Sequence, residues 1–191
     1  MNCRDLERIV RHAGHLMAES LWEYWPTAKD NDLPEINISL HLAIALHENG
    51  FNCFADGNWK NSTDKRLDFL AINPETGIAI CGEFKKLFSA EQCESMTEDL
   101  ERIKSFVPLD HCRKYKPKFG ILAATTFKPS IVKWWSTKDG GTPTNHEIWN
   151  KLSKELHNAY WGSIPLSTYD EDTKLKNTEM HHLLYSVFEI N

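Results

Sequence analysis

The chain has 191 residues, of which 41% are hydrophobic and 26% are charged. This composition is typical of a folded globular protein, and it excludes the collagen-like, low-complexity and disordered classes. The 22 Lys and Arg residues against 27 Asp and Glu residues give a net charge of -5. A polyanion would therefore have to bind a local basic patch rather than the molecule as a whole.

The apolar runs and the cysteines bear on where the protein works. No apolar run approaches the roughly 18 residues that cross a bilayer, and charged residues stand near the N-terminus where a signal peptide would be apolar. The five cysteines are an odd number without a Cys-x-x-Cys pair, which favours reduced thiols over disulfides or a zinc site. We expect a cytoplasmic protein that does not bind membranes and that folds as a single domain over residues 1–191.

The start of the chain predicts helices. Helical periodicity indicates an amphipathic helix over residues 4–25. The segment from Glu35 to Asn49, which follows Pro34, is ambiguous. Its first half alternates as a strand does, whereas its length and its Leu- and Ala-rich second half favour a helix.

The middle of the chain predicts a hairpin. Short apolar segments indicate strands at 51–55, 67–72 and 78–85. The turn at 73–77 contains Pro and Gly and joins the last two strands as a hairpin.

A covering helix follows the hairpin. The spacing of Ser89 and Gln92 is that of a capping box, and Pro108 ends the helix that they open. Its apolar stripe consists of Cys93, Met96, Leu100, Ile103 and Val107. The remaining elements are a strand at 119–124, a short apolar piece at 131–135, a helix capped by Thr144 with Glu147, and a last strand at 183–190.

Three charged residues lie inside the predicted hairpin, where ionised side chains are unfavourable unless they are paired or bind a metal. They are Asp68, Glu83 and Lys85. Glu83 and Lys85 are two residues apart on one strand, so their side chains lie on the same face of the sheet.

The register of the hairpin decides whether Asp68 joins them. If Asn73 pairs with Ile78 across a four-residue loop, Asp68 lies directly opposite Glu83, with the two Cβ atoms about 5 Å apart. A five-residue loop would place the two side chains on opposite faces of the sheet.

Two carboxylates so placed repel each other unless a cation lies between them. They are hard oxygen ligands of the kind that Mg²⁺ prefers, with water and a substrate phosphate completing the coordination. A lysine beside them would orient or deprotonate the attacking water and stabilise the charge of the transition state. Asp68, Glu83 and Lys85 therefore predict metal-assisted hydrolysis of a phosphodiester.

The order of these residues resembles the PD-(D/E)XK nuclease superfamily, which has the restriction-endonuclease-like fold. The match consists of Asp68, fourteen intervening residues, and then Glu83-Phe84-Lys85 at the end of an apolar strand, followed by a helix and another strand. Leu67 stands where the name of the family has proline.

The resemblance covers residues 34–125. It implies an α/β protein with an αβββαβ core, in which helices flank a central mixed sheet. Residues 1–33 would then be an N-terminal helical arm, and residues 126–191 a C-terminal extension with a helix and a strand. These additions would shape the substrate groove or a homodimer contact.

The resemblance also implies roles for five residues. Asp68 and Glu83 would bind Mg²⁺ or Mn²⁺, and Phe84 would contribute its main-chain carbonyl. Lys85 would be the catalytic lysine. Glu35, on the helix before the first strand, would be a third acid of the metal site and of the catalytic group.

The resemblance favours DNA over RNA as the substrate, and basic residues would contact its backbone. The candidates are Lys60, Lys65, Arg66, Lys86, Arg113, Lys114, Lys116 and Lys118.

Other interpretations stay open at this point. Asp68 and Lys85 would form a salt bridge at a sheet edge while Glu83 is solvated, since charges at strand ends also protect edges. A domain of this fold could instead bind nucleic acid or protein without cutting, or serve only as an interaction protein. A second acid-x-lysine sequence, at 172–174, lies in a polar stretch without a predicted strand around it.

Overall fold

The computed structural model describes residues 1–24, 33–58, 66–137, 146–170 and 175–190. Within these residues the protein is an α/β structure of five α-helices and one open, mixed sheet of six strands. The helices are α1 (Cys3–Tyr24), α2 (Ile36–His47), α3 (Ala90–Lys104), α4 (Pro129–Thr137) and α5 (His146–Glu155). The strands are β1 (Asn52–Asn58), β2 (Arg66–Ile72), β3 (Ile78–Lys86), β4 (Lys116–Thr126), β5 (Tyr160–Asp170) and β6 (Leu175–Glu189). None of the described helices combines the length and apolar character that spanning a bilayer requires.

The strands follow the order β1-β2-β3-β4-β6-β5 across the sheet. Strands β3 and β4 are parallel, and every other neighbouring pair is antiparallel. Parallel neighbours need a crossover connection, which α3 supplies between β3 and β4. Strand β6 pairs with β4, so the C-terminal part of the chain completes the sheet that the hairpin begins.

Helices cover both faces of the sheet, and each face has its own apolar core. Helices α1 and α2 pack on one face, where the buried residues include Leu6, Met17, Leu42, Phe84 and Ile121. Helices α3, α4 and α5 pack on the other face, where they include Met96, Leu100, Trp134, Trp149 and Leu184. The predicted α/β class, with helices flanking a mixed sheet, is confirmed at this level.

The ambiguous segment after Pro34 is the helix α2. Its strand-like alternation arises because apolar residues occupy both faces of the helix: Ile36, Leu40 and Ile44 are 60%, 54% and 44% exposed. Leu42 and the residues around it pack inward against the sheet. The second, Leu- and Ala-rich half is therefore the better guide to the structure.

The hairpin between β2 and β3 has the predicted register. The Asn73 N–H donates to the Ile78 carbonyl at 2.8 Å, and Phe69 lies opposite Gly82 in the ladder. The Asn73 side chain accepts hydrogen bonds from main-chain N–H groups inside the turn. Asn73 thus closes the four-residue loop.

Helix α3 begins as predicted but ends earlier. Ser89 is the N-cap, and its Oγ accepts the Gln92 N–H at 3.3 Å. The helix ends at Lys104, and Val107 is 48% exposed, so the prediction that Val107 continues the apolar stripe is wrong.

The C-terminal extension contains more strand than was predicted. The apolar piece at 131–135 belongs to α4, while β5 was not predicted and β6 begins eight residues before the predicted strand at 183–190. Residues 172–174 and Thr144 fall outside the described residues. Strands β5 and β6 flank that second acid-x-lysine sequence, so the prediction that no strand surrounds it is wrong.

Candidate active site

The charged residues selected from the sequence converge at one end of the sheet, where β2 begins and β3 ends. Asp68 lies on β2, Glu83 and Lys85 lie on β3, and Glu35 immediately precedes α2. The ladder of the hairpin ends at the pair Phe69–Gly82, and Asp68 and Glu83 are the next residues of the two strands. Their carboxyl groups are close enough for Asp68 to raise the pKa of Glu83. Strand alternation puts both carboxylates and Lys85 on the face that α3 covers.

Main-chain hydrogen bonds fix two of the acids. The Phe84 N–H donates to Asp68 Oδ2 at 2.8 Å, and the Lys86 N–H donates to Glu35 Oε1 at 2.9 Å. The second bond joins the start of α2 to the end of β3. The part of β3 that carries the candidate residues is thereby attached to both acids.

Glu83 is an ionisable side chain with 0% exposure. Arg102 on α3 donates from Nη1 to Glu83 Oε1 at 2.8 Å, while Oε2 is buried with no hydrogen-bond donor among the described residues. Burial raises the pKa of Glu83 to about 9, and the carboxylates of Asp68 and Asp99 add to an increase that Arg102 only partly opposes. The carboxyl group of Glu83 therefore keeps its proton at neutral pH.

Asp99 of α3 is also completely buried, and it lies between two cations. Its Oδ2 is 3.2 Å from Lys85 Nζ, and its Oδ1 is 2.9 Å from Arg102 Nη2. Burial raises the pKa of Asp99, against the opposing effect of these two cations.

Lys85 is held as a cation. Burial acts to lower its pKa, but Asp99, Asp68 and Glu35 outweigh burial, and the pKa of Lys85 is raised. A lysine in this state donates hydrogen bonds and stabilises negative charge, and it does not accept a proton at neutral pH. Of the two roles that the sequence suggested for Lys85, the electrostatic one fits this environment.

Sequence analysis missed Asp99 and Arg102, although the sequence contains a signal for them. Asp99 lies three residues after Met96 and one before Leu100, inside the apolar stripe that packs on the sheet. An acidic residue at such a position requires a partner, and Arg102 stands one helical turn later.

The alternative of an Asp68–Lys85 salt bridge with a solvated Glu83 is wrong. Lys85 forms its ion pair with Asp99 because α3 brings that carboxylate over the end of β3. Glu83 is completely buried beneath the same helix.

The basic residues selected for substrate binding divide between the two ends of the sheet. Arg66 begins β2 and Lys86 ends β3, so both lie at the end that carries the site. Lys60 and Lys65 fall outside the described residues. Lys128, which was not selected, also lies at this end, where its Nζ donates to the Phe88 carbonyl at 2.6 Å.

The other four basic candidates, Arg113, Lys114, Lys116 and Lys118, lie at the opposite end. Lys116 pairs with Ile78 at the start of β3, seven residues before Lys85. At roughly 3.3 Å per residue, this separation is about 23 Å along the strand.

The donor set fits Mg²⁺ or Mn²⁺ in its chemistry. Asp68 and Glu83 supply neighbouring carboxylates, and Glu83 Oε2 is a buried oxygen without a hydrogen-bond donor in the described part of the chain. Phe84, between Glu83 and Lys85, carries a main-chain carbonyl at the same point of the strand. No three His, Cys, Asp or Glu side chains of the described residues form a preassembled metal group. One or two carboxylates with several waters are the usual protein ligands of Mg²⁺.

Comparisons with known proteins identify no relative of this chain. No protein-family model, no curated protein and no solved structure matches it.

Proposed function

We propose that the protein is a divalent-cation-dependent hydrolase of phosphodiester bonds, that DNA is its substrate, and that its core has the restriction-endonuclease-like arrangement. The observation that carries this proposal is the proximity of the Asp68 and Glu83 carboxyl groups, just beyond the last ladder pair of the hairpin, with Lys85 beside them. The strand order β1-β2-β3-β4 with parallel β3 and β4 is compatible with an αβββαβ core.

In this proposal Asp68, Glu83 and the Phe84 carbonyl hold the cation, with Glu35 as the further acid at its edge. A bound Mg²⁺ or Mn²⁺ supplies an acidified water and neutralises charge on the phosphate. Lys85, kept charged by Asp99, donates hydrogen bonds to the phosphate oxygen on which negative charge increases. The Lys86 N–H bond to Glu35 keeps the end of β3 in place while the substrate binds.

A nucleic-acid- or protein-binding module without catalysis is the second candidate. The observation that favours it is that two candidate catalytic residues already have partners within the protein. Glu83 is paired with Arg102, and Lys85 is paired with Asp99. Such a module would retain nucleic acid and would not cut it.

Cleavage assays separate the two functions. Lys85→Met and Glu83→Gln should each lower the rate of DNA cleavage in Mn²⁺ or Mg²⁺ by about 100-fold or more, the usual effect of losing a catalytic side chain. Glu83→Gln should also weaken Mn²⁺ binding measured by calorimetry, because an amide is a poorer ligand than a carboxylate.

Lys104→Met and Glu101→Gln are the matched controls. Lys104 and Glu101 lie on α3, and Lys104 is paired with Glu155 and Glu101 away from the site. Both variants should cleave as the wild-type protein does. If Lys85→Met cleaved DNA at the wild-type rate, the hydrolase would be contradicted. If the wild-type protein bound DNA but did not cleave it, the binding module would be favoured.

A further inference from the structure

Arg102 pairs with Glu83 through one oxygen of the carboxyl group, Oε1, and leaves Oε2 without a hydrogen-bond donor in the described part of the chain. Its Nη1 lies 2.8 Å from Glu83 Oε1, and its Nη2 lies 2.9 Å from Asp99 Oδ1. Both carboxylates are completely buried, and they come from different elements, β3 and α3. The guanidinium therefore bridges two carboxyl groups that the fold shields from solvent.

Acids outnumber bases in the cluster around Glu83. Four acids and two bases face one another there. The acids are Glu35, Asp68, Glu83 and Asp99, and the bases are Lys85 and Arg102. A divalent cation at this cluster would be attracted by the acids and repelled by Arg102.

We propose that Arg102 is a resident partner of Glu83 that competes with a divalent cation for its carboxyl group. This inference rests on the proposed function, because it takes Glu83 as part of the cation site. In the cation-free protein the guanidinium holds Glu83, and in the loaded protein it remains on Asp99 alone.

The surroundings of Arg102 permit this exchange. Its side chain is 30% exposed, so the guanidinium can turn toward solvent without disturbing the buried stripe of α3. Asp99, one helical turn earlier, stays within reach and is also paired with Lys85. Displacement therefore costs one charge-assisted hydrogen bond and leaves no buried charge without a partner.

Calorimetric titration of the whole chain with Mn²⁺ tests the exchange. Arg102→Gln should bind Mn²⁺ at least about 5-fold more tightly than the wild-type protein, because the competing cation is gone, and each tenfold corresponds to about 1.4 kcal/mol. Saturating Mn²⁺ should also raise the melting temperature of Arg102→Gln by more than that of the wild-type protein. If Arg102 had only a structural role, its replacement would not increase the affinity of the protein for Mn²⁺.

Lys104→Gln, two residues further along the same helix, is the control and should bind Mn²⁺ as the wild-type protein does. If Arg102→Gln does not fold, Arg102→Lys keeps one charge but cannot span both acids, and it should show a smaller increase in affinity. Equal or weaker Mn²⁺ binding by the folded Arg102 variant would overturn the exchange alone. Absence of Mn²⁺ binding from the wild-type protein and every variant would overturn the proposed cation site as well.

Discussion

Glu83 combines two properties that seldom occur together, an acidic side chain and complete burial. Its neighbours are two carboxylates and one guanidinium, so negative charge at this position is only partly compensated. The fold therefore disfavours ionisation of Glu83 at the point where the proposed chemistry requires a carboxylate. The pH dependence of stability should reveal this cost.

The native protein binds a proton at Glu83 over a wider pH range than the unfolded chain does. The pKa is about 9 in the native state against an ordinary value of 4.5, so stability from this group is present at low pH and is lost as pH rises through 9. Glu83→Gln has no such loss and keeps an acceptor for Arg102. Relative to the wild-type protein it should gain several kcal/mol between pH 5 and pH 9, since one pKa unit corresponds to about 1.4 kcal/mol.

Urea unfolding in a metal chelator at these two pH values measures the gain. Glu101→Gln, whose side chain is 63% exposed, serves as the control and should leave the pH dependence as it is in the wild-type protein. Parallel stability curves for the wild-type protein and Glu83→Gln would contradict a protonated Glu83.

At the scale of elements, the turn between β2 and β3 sets the geometry of the site. Gly77 has a φ of +69°, and a Cβ at this position would lie 3.1 Å from the Lys114 carbonyl. Both the left-handed backbone and the close main-chain oxygen favour glycine. The turn thereby fixes the register that ends at Phe69 and Gly82, directly before Asp68 and Glu83.

Gly77→Ala should lower the free energy of unfolding by roughly 1–2 kcal/mol, the usual cost of a left-handed backbone for a residue with a Cβ. Denaturant titration measures this loss. Thr76→Ala, which changes a side chain in the same turn and leaves the main-chain bonds in place, should change stability much less. Equal stability of Gly77→Ala and the wild-type protein would show that the left-handed backbone and the close Lys114 carbonyl do not require glycine at this position.

The elements also indicate what the sequence can and cannot predict. The hairpin register and the Ser89 cap were predictable, because each depends on residues a few positions apart. Strand β5 was not, because Gly162 and Pro165 interrupt its apolar pattern and pairing with β6 decides its conformation. The role of Arg102 was not predictable for a similar reason, since its partner Glu83 is 19 residues away in sequence and contacts it only in the folded protein.

At the scale of the whole molecule, we expect the basic residues at the two ends of the sheet to contribute differently to DNA binding. Arg66 and Lys86 lie beside the site, whereas Lys114 and Lys116 lie at the far end. The net charge of -5 repels a polyanion, so local cations must account for its binding. The double variant at the site end should therefore weaken binding more than the double variant at the far end.

Anisotropy of labelled duplex DNA across a range of salt concentrations measures both effects. Arg66→Gln with Lys86→Gln should reduce the salt slope of log affinity by about 1–2, because each lost phosphate contact contributes about 0.9. Lys114→Gln with Lys116→Gln is the control pair of equal charge. An equal or larger reduction of the salt slope in this control pair would indicate that DNA binds at the opposite end of the sheet.

Helix α3 has two tasks, since it connects the parallel strands β3 and β4 and also carries Asp99 and Arg102. The cluster draws its side chains from Glu35 through Arg102, across two helices and two strands. Contacts between residues so distant in sequence form slowly, because closing the loops between them costs conformational entropy. The pocket therefore depends on the packing of all these elements, and a change that displaces any one of them would dismantle it.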